Sequence, residues 1–502
     1  MLRRTWLLMI VCAATTLPIL RAAQGPQSAA PDIQLQLGDL LMEEARYRDA
    51  VDAYRRAMTL AAQDAALRRQ AHAGLALALL RTGDFNAART EAEQLTTEDP
   101  ADARAQALFG DTLWASGLFA EAERAYETAL KSNASEARGH HGRARALTAR
   151  NRAAEALTEA QEAVKLAPRE AEFHHTVGVI YERQRRYDEA AAAFGNYVNL
   201  LPNRDRSEKA MWTRAEIRFL DSFKGRSPVD FSESASESWT IPIRIEREKV
   251  LVRLKINGAP PTDFVLDTGA EQTVLSRDLA RKRGVVPITY MQSAGVGDVG
   301  FRGLQVGRID LLEIGDLKVR NVPCLIKNPP LGDLPAREPE SFSPLALGLS
   351  MRIDYTQHLL VMARALPEAH YGTELPLRLY RLATVRGIVN GQPVTFVVDT
   401  GGEVISISQS TAGRVAVADG FRRIPLKVYG TSGWDKDAFL MPNVDVEFES
   451  IRFSKIPVVV LNLKAPSALL GYQLGGIVGH SFLSRYRVTI DLGRSVVGLD
   501  TN

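Results

Sequence analysis

Two aspartates sit in the same seven-residue setting. Phe264-Val265-Leu266-Asp267-Thr268-Gly269-Ala270 returns 132 residues later as Phe396-Val397-Val398-Asp399-Thr400-Gly401-Gly402. The flanks repeat as well: Asn257-Gly258 and Asn390-Gly391 lie upstream, and Glu271 and Ser276 match Glu403 and Ser408 downstream. At average residue usage, about one chain in ten of this length would hold a single Asp-Thr-Gly by chance. Two copies with shared flanks are a duplication. In each, an apolar run ends at a carboxylate, and the glycine that follows lets backbone come close to it. A lone aspartate there is a turn residue. Two carboxylates held about 3 Å apart cannot both ionise; they share a proton and can serve as paired acid and base.

An apolar strand ending in Asp-Thr-Gly resembles the active-site loop of aspartic peptidases, specifically the retropepsin-like kind, in which two lobes each supply one aspartate. The resemblance implies a catalytic dyad of Asp267 and Asp399 within one chain. It also implies that Thr268, Gly269, Thr400 and Gly401 support the two loops, the threonine hydroxyls tying them across a pseudo-twofold axis. A water between the carboxylates would attack a peptide bond, with no metal, no cofactor and no covalent intermediate. No zinc motif or Gly-x-Ser-x-Gly elbow points elsewhere. Such a dyad titrates as a unit, so acid and base are not assigned to individual aspartates at this level. Pepsin-type enzymes usually carry Ser or Thr after the triplet, whose hydroxyl lowers the carboxylate pKa. Ala270 and Gly402 stand there instead, and a mildly acidic to near-neutral optimum is expected. The alternative is a catalytically inactive scaffold that binds peptides without cleaving them. Pairing with a lobe of another chain is a third arrangement, disfavoured because the second lobe is tethered at high effective concentration.

The elements around the triplets are short alternating strands. From Trp239 onward, runs such as Val250-Leu-Val-Arg-Leu-Lys-Ile break at Gly, Pro and Asn, and Asn257-Gly258 marks a tight hairpin. Residues 239–362 form a first lobe, 363–377 a connection and 378–502 a second lobe, together an all-β, double-lobed acid-protease-like domain. In retropepsin-like lobes an apolar pair plus glycine passes beneath the active-site loop. Leu345-Ala346-Leu347-Gly348 and Ile477-Val478-Gly479 are expected to do so here. Gly295-Val296-Gly297-Asp298-Val299-Gly300 spells a dinucleotide fingerprint, but a strand pattern follows where a helix would be needed. Gly295 and Gly297 suit a mobile flap instead, and Tyr429 and Gly430 stand at the matching place in the second lobe.

Residues 31–223 are of another kind. Ala50, Ala88, Ala122, Ala156 and Ala190 are spaced 38, 34, 34 and 34 apart, and all but Ala156 follow an aromatic residue three positions earlier. Pro100, Pro168 and Pro202 recur at the same phase. A 34-residue period with small residues at helix contacts resembles tetratricopeptide repeats. Five helix pairs and a closing helix would stack into an all-α solenoid with a concave groove for a peptide or protein partner. The repeats are expected to fold as a unit of their own, joined to the lobes by a flexible linker at 224–238. His140-His141 and His174-His175 are not read as metal ligands, because adjacent helical residues face apart.

The whole chain has 502 residues, 45% hydrophobic and 24% charged, as in an ordinary globular protein. Its formal charge of +3 falls to zero without residues 1–23, where Arg3, Arg4 and Arg21 lie and no acid does. Nothing argues for nucleic acid. Arg3-Arg4 and the apolar run from Trp6 to Leu20 read as a signal peptide over 1–23. Export to a periplasm or beyond is expected. The alternative is an uncleaved leader that anchors the chain in a membrane. Cys324 would then be the single cysteine of the mature chain, excluding an internal disulfide.

Overall fold

The computed structural model describes residues 30–234, 236–327, 340–415 and 423–501. The leader at 1–23 therefore lies outside the described residues. Among them, no helix is long and apolar enough to cross a membrane.

The helical part consists of five antiparallel pairs, from Pro31–Glu43 with Tyr47–Leu60 through Ala171–Arg183 with Tyr187–Leu200, and the closing helix Glu208–Asp221. The periodic small residues have a steric reason. Ala50, Ala88, Ala122, Ala156 and Ala190 are wholly buried. A Cβ on Gly38, Gly110 or Gly178 would lie 2.5, 2.5 or 2.6 Å from a ring carbon of Tyr54, Tyr126 or Phe194. Each of these pairs thus closes by seating an aromatic ring of its second helix against a glycine of its first. Asp64, Asp84, Asp102 and Ser207 cap helix starts with their side chains. The superhelix curls until its ends meet. Asn203 Nδ2 donates to the Glu44 carbonyl at 3.3 Å, and Arg81 pairs with Glu172, 91 residues on, at 2.6 Å. That ion pair crosses the inner face where an open groove was expected.

Each lobe is an eight-stranded sheet with the same strand order. In the first lobe Lys249–Ile256 pairs with Thr262–Leu266, which runs parallel to Ser341–Phe342. In the second, Leu382–Val389 pairs with Gln392–Val398, which runs parallel to Gly476–Val478. A third, six-stranded sheet takes strands from both halves. Its middle is the antiparallel register Met351↔Ile490, Arg352↔Thr489 and Ile353↔Val488. The connection between the lobes contributes too, since Thr373–Pro376 forms an edge of this sheet beside Val496–Thr501.

The helices and the lobes share apolar clusters. Trp114, Phe119 and Tyr126 pack with Val397, Leu461 and Tyr472 of the second lobe. Tyr187, Phe219 and Phe223 pack with Val306 of the first. Glu123 and Glu121 add ion pairs to Arg378 and Arg386 at 2.9 and 2.6 Å. The segment expected as a flexible linker is held between the two parts. Val229 and Phe231 are buried, and the Val229 and Asp230 amides donate to the carbonyls of Asn321 and Arg320. Phe231 lies between the guanidinium groups of Arg185 and Arg364, at 5.3 and 4.9 Å. Its composition reads as loose because polar serines dominate it; two apolar residues are enough to seat it.

Candidate active site

Both aspartates arrive at the ends of buried strands, Thr262–Leu266 and Gln392–Val398, whose apolar residues need a core on each face. The strand alongside fixes each loop: Asp267 N donates to Phe342 O at 2.9 Å and Asp399 N to Val478 O at 3.0 Å. In the second lobe this is the Ile477-Val478-Gly479 run expected from sequence. In the first it is Ser341–Phe342 instead, and Pro344–Leu347 forms a 3-10 turn just after it. A two-residue strand that opens on serine has too little alternation to be read.

The four loop residues interlock across the lobes. Thr268 N donates to Thr400 Oγ1 at 3.1 Å, and Thr268 Oγ1 donates to Val398 O at 2.6 Å. Thr400 returns both bonds, its N to Thr268 Oγ1 at 3.1 Å and its Oγ1 to Leu266 O at 2.7 Å. A Cβ on Gly269 would lie 2.6 Å from Asp399 Cγ, and one on Gly401 2.8 Å from Asp267 Cγ. Only glycine lets the loops approach this closely.

The two carboxyl groups hydrogen-bond each other. Their surroundings differ. Asp267 Oδ1 accepts from Gly269 N at 3.0 Å, and the Ser341 hydroxyl also donates to this carboxyl group. Asp399 Oδ1 accepts from Gly401 N at 2.8 Å and Gly402 N at 2.9 Å. Burial first, then the neighbouring Asp399, pushes Asp267 up to about 7. Burial raises Asp399 as well, opposed by the Gly402 and Gly401 amides and the charge of Lys249. The Gly402 amide thus does part of what a serine hydroxyl would do at that position.

Three contributors were not read from the sequence. Ser341 was hidden in its short strand. Lys249 follows one hairpin turn and reaches the opposite lobe, where its Nζ donates to Gly401 O at 2.6 Å and lies 3.2 Å from Glu403. Arg381, in the matching turn of the second lobe, donates from Nε to Glu271 at 2.8 Å. The two ion pairs are related by the pseudo-twofold axis. The repeated glutamates after each triplet were visible, but their cations lie at unlike distances in sequence and differ in type.

The flap candidates meet each other. Strands Pro287–Ser293 and Arg302–Ile314 carry the first tip, and Val428–Gly430 with Gly433–Asp435 make the second. Gly295 N donates to Ser432 Oγ at 2.9 Å, and Ser432 N donates to Val296 O at 2.8 Å. Val299 N and Asp298 N donate to the carbonyls of Ser432 and Trp434, at 3.1 and 2.9 Å. Gly297 has φ of +133° and passes against the second tip, and Gly430 passes against Val296. Tyr429 stacks edge-on to Trp434, ring centroids 5.3 Å apart. Of the histidine pairs, His140 binds Glu159 and His141 binds Thr176, on separate sides.

Helical repeats, a double lobe with one Asp-Thr-Gly in each half, and two tips meeting tip to tip define the class: a repeat domain joined to a double-lobed, acid-protease-like domain. Comparison with protein families agrees. The aspartyl protease family matches residues 252–350, the gag-polyprotein aspartyl protease family 385–485, and the tetratricopeptide repeat family 35–106, 107–171 and 141–198. The chain carries tetratricopeptide repeats followed by two aspartyl protease domains. No curated protein matches it. Similar solved structures include TTC0263, a repeat protein of Thermus thermophilus, at 20% identity over 38% of this chain and 100% of that one, TM-score 0.33. Others are MamA from Desulfovibrio magneticus, at 16% over 36% and 97%, TM-score 0.24, and YrrB, at 14% over 37% and 93%, TM-score 0.23.

Proposed function

We propose that this chain is an aspartic endopeptidase, cleaving peptide bonds in a peptide or protein substrate with a water activated by Asp267 and Asp399. The observation that carries the reading is the pair of hydrogen-bonded carboxyl groups, one of them held up to about 7 by burial and its neighbour. Two backbone amides and the nearby lysine favour charge on Asp399, so the shared proton rests on Asp267 before substrate binds. Asp399 then acts as general base on the water. Asp267 donates its hydrogen bond to the substrate carbonyl as negative charge builds there. The tetrahedral intermediate collapses when the leaving amine takes up a proton.

The repeats would recruit substrate or a partner protein, the common use of such superhelices. A near-neutral optimum suits a periplasmic or extracellular setting, as the leader at 1–23 implies. The test uses the full chain with an unfolded protein as substrate, from pH 3 to 8. Asp267→Asn and Asp399→Asn should each lower cleavage by about a thousandfold or more, as single losses from a cooperating unit do, with an unchanged circular dichroism spectrum. If either variant kept most of its activity, the shared-dyad mechanism would fall. A wild type that cleaves nothing would leave a peptide-binding domain.

A further inference from the structure

The first lobe's flap is held at both ends. Its tip is closed by the four hydrogen bonds to the second flap given above. Its base lies on the helical repeats. Ile288, Met291 and Val306 of the flap strands join the cluster of Tyr187, Phe219 and Phe223. Arg308 Nη1 donates to the Ser222 carbonyl at 3.0 Å, just past the closing helix Glu208–Asp221. Trp212, on that helix, seats its indole against Gly303, where a Cβ would lie 3.1 Å from the ring carbon Cη2. An aromatic face pressed on bare backbone is sensitive to any twist of the strand, since dispersion contacts fall off within an ångström.

A polypeptide reaches the dyad only if the tips part, and a hairpin parts at the tip by rotating about its base. The base cannot rotate here without sliding over the closing helix. We infer that the closing helix anchors the first flap, with Trp212 as the positioning residue, so that the repeats are part of the gate over the dyad. The second flap is attached to the same helical body: Leu426 and Val428 pack in the cluster that holds Trp114 and Phe119 of the third repeat. This inference rests on the peptidase reading for its kinetic consequence, but not for its mechanical one.

Hydrogen exchange on the full-length protein separates the two. Trp212→Ala should speed exchange of the flap-tip amides of Asp298, Val299 and Ser432 by about tenfold, the scale of truncating one interfacial aromatic. The amides of Gly269 and Gly401 should be unaffected. Trp212→Phe, which keeps a ring, should fall between, and it carries the test if the alanine variant does not fold. With a short peptide, KM should change while the pH profile stays in place. Unchanged tip exchange in a folded variant overturns the inference, and so does acceleration of all amides alike, which reports global destabilisation. Accelerated tips in a protein that cleaves nothing would uphold the anchor and remove the peptidase reading.

Discussion

Replacing Ser341 with alanine tests the electrostatics of the pair at one atom. The Ser341 side chain is 7% exposed and donates to Asp267. Its hydrogen bond stabilises the ionised carboxylate, so its loss favours the protonated form and raises the pKa further. A hydrogen bond to a charged group is worth about 1.5–3 kcal/mol. At about 1.4 kcal/mol per pH unit that bounds the shift at about one to two units. Gly269 N still donates at 3.0 Å, so a value near the lower bound is expected. The group concerned is the one pushed up to about 7, and it sets the alkaline limb, where the shared proton is lost. The limb should therefore move from near 7 to near 8 in Ser341→Ala. The acid limb belongs to the proton that Asp399 resists, beside Gly401, Gly402 and Lys249, and it should stay in place. The assay is kcat/KM against pH on a short peptide, which reports the free enzyme. A downward or absent shift in a folded variant would refute the assignment. So would a wild-type alkaline limb below about pH 5, which would mean burial does not raise the pair.

The threonine lattice should show itself in stability. Thr268→Val removes the donor to Val398 O and the acceptor for Thr400 N, both buried, and should cost about 2–3 kcal/mol in urea unfolding; Thr268→Ser should cost much less, and equal losses for the two would contradict the lattice. A second titration lies between the repeats and the lobes, where Glu182 and Glu216 hydrogen-bond each other and burial pushes them up to about 7 and about 8. A carboxyl raised in the folded state binds its proton more tightly there than when unfolded, so the stability it adds at low pH is lost as pH rises through those values. Glu216→Gln should therefore narrow the fall in Tm between pH 5 and pH 8, and an unchanged fall would show that the pair does not titrate in that window.

What could be read in the chain and what could not divides along physical lines. The helical repeats were legible because each aromatic ring needs a glycine or alanine opposite, and that need recurs every 34 residues. The two triplets were legible because close approach of backbone to a carboxylate demands glycine at a fixed place. The Ser341–Phe342 strand was not, since parallel pairing across 76 residues leaves no local periodicity in a two-residue element. Lys249 and Arg381 were not, because a cation that reaches across lobes obeys only the fold. The seating of segment 224–238 rests on Val229 and Phe231 alone, amid serines that read as solvent. The attachment of the repeats was hidden for a similar reason: Trp114 and Phe119 fit the repeat pattern whether they face solvent or a neighbouring domain.

The sheet shared by the two lobes has a consequence for how such a protein behaves in a population. A site built from two separate chains is lost on dilution, and one damaged chain spoils every pair it enters. Here the two halves are joined by the ladder through Arg352 and Thr489 as well as by the backbone. Activity per molecule should then be the same at nanomolar and micromolar concentration. A chain crippled at one aspartate would subtract only itself from the total, without poisoning its intact neighbours. Each half is also free to drift from the other, as Lys249 and Arg381 already have, because neither must fit a copy of itself.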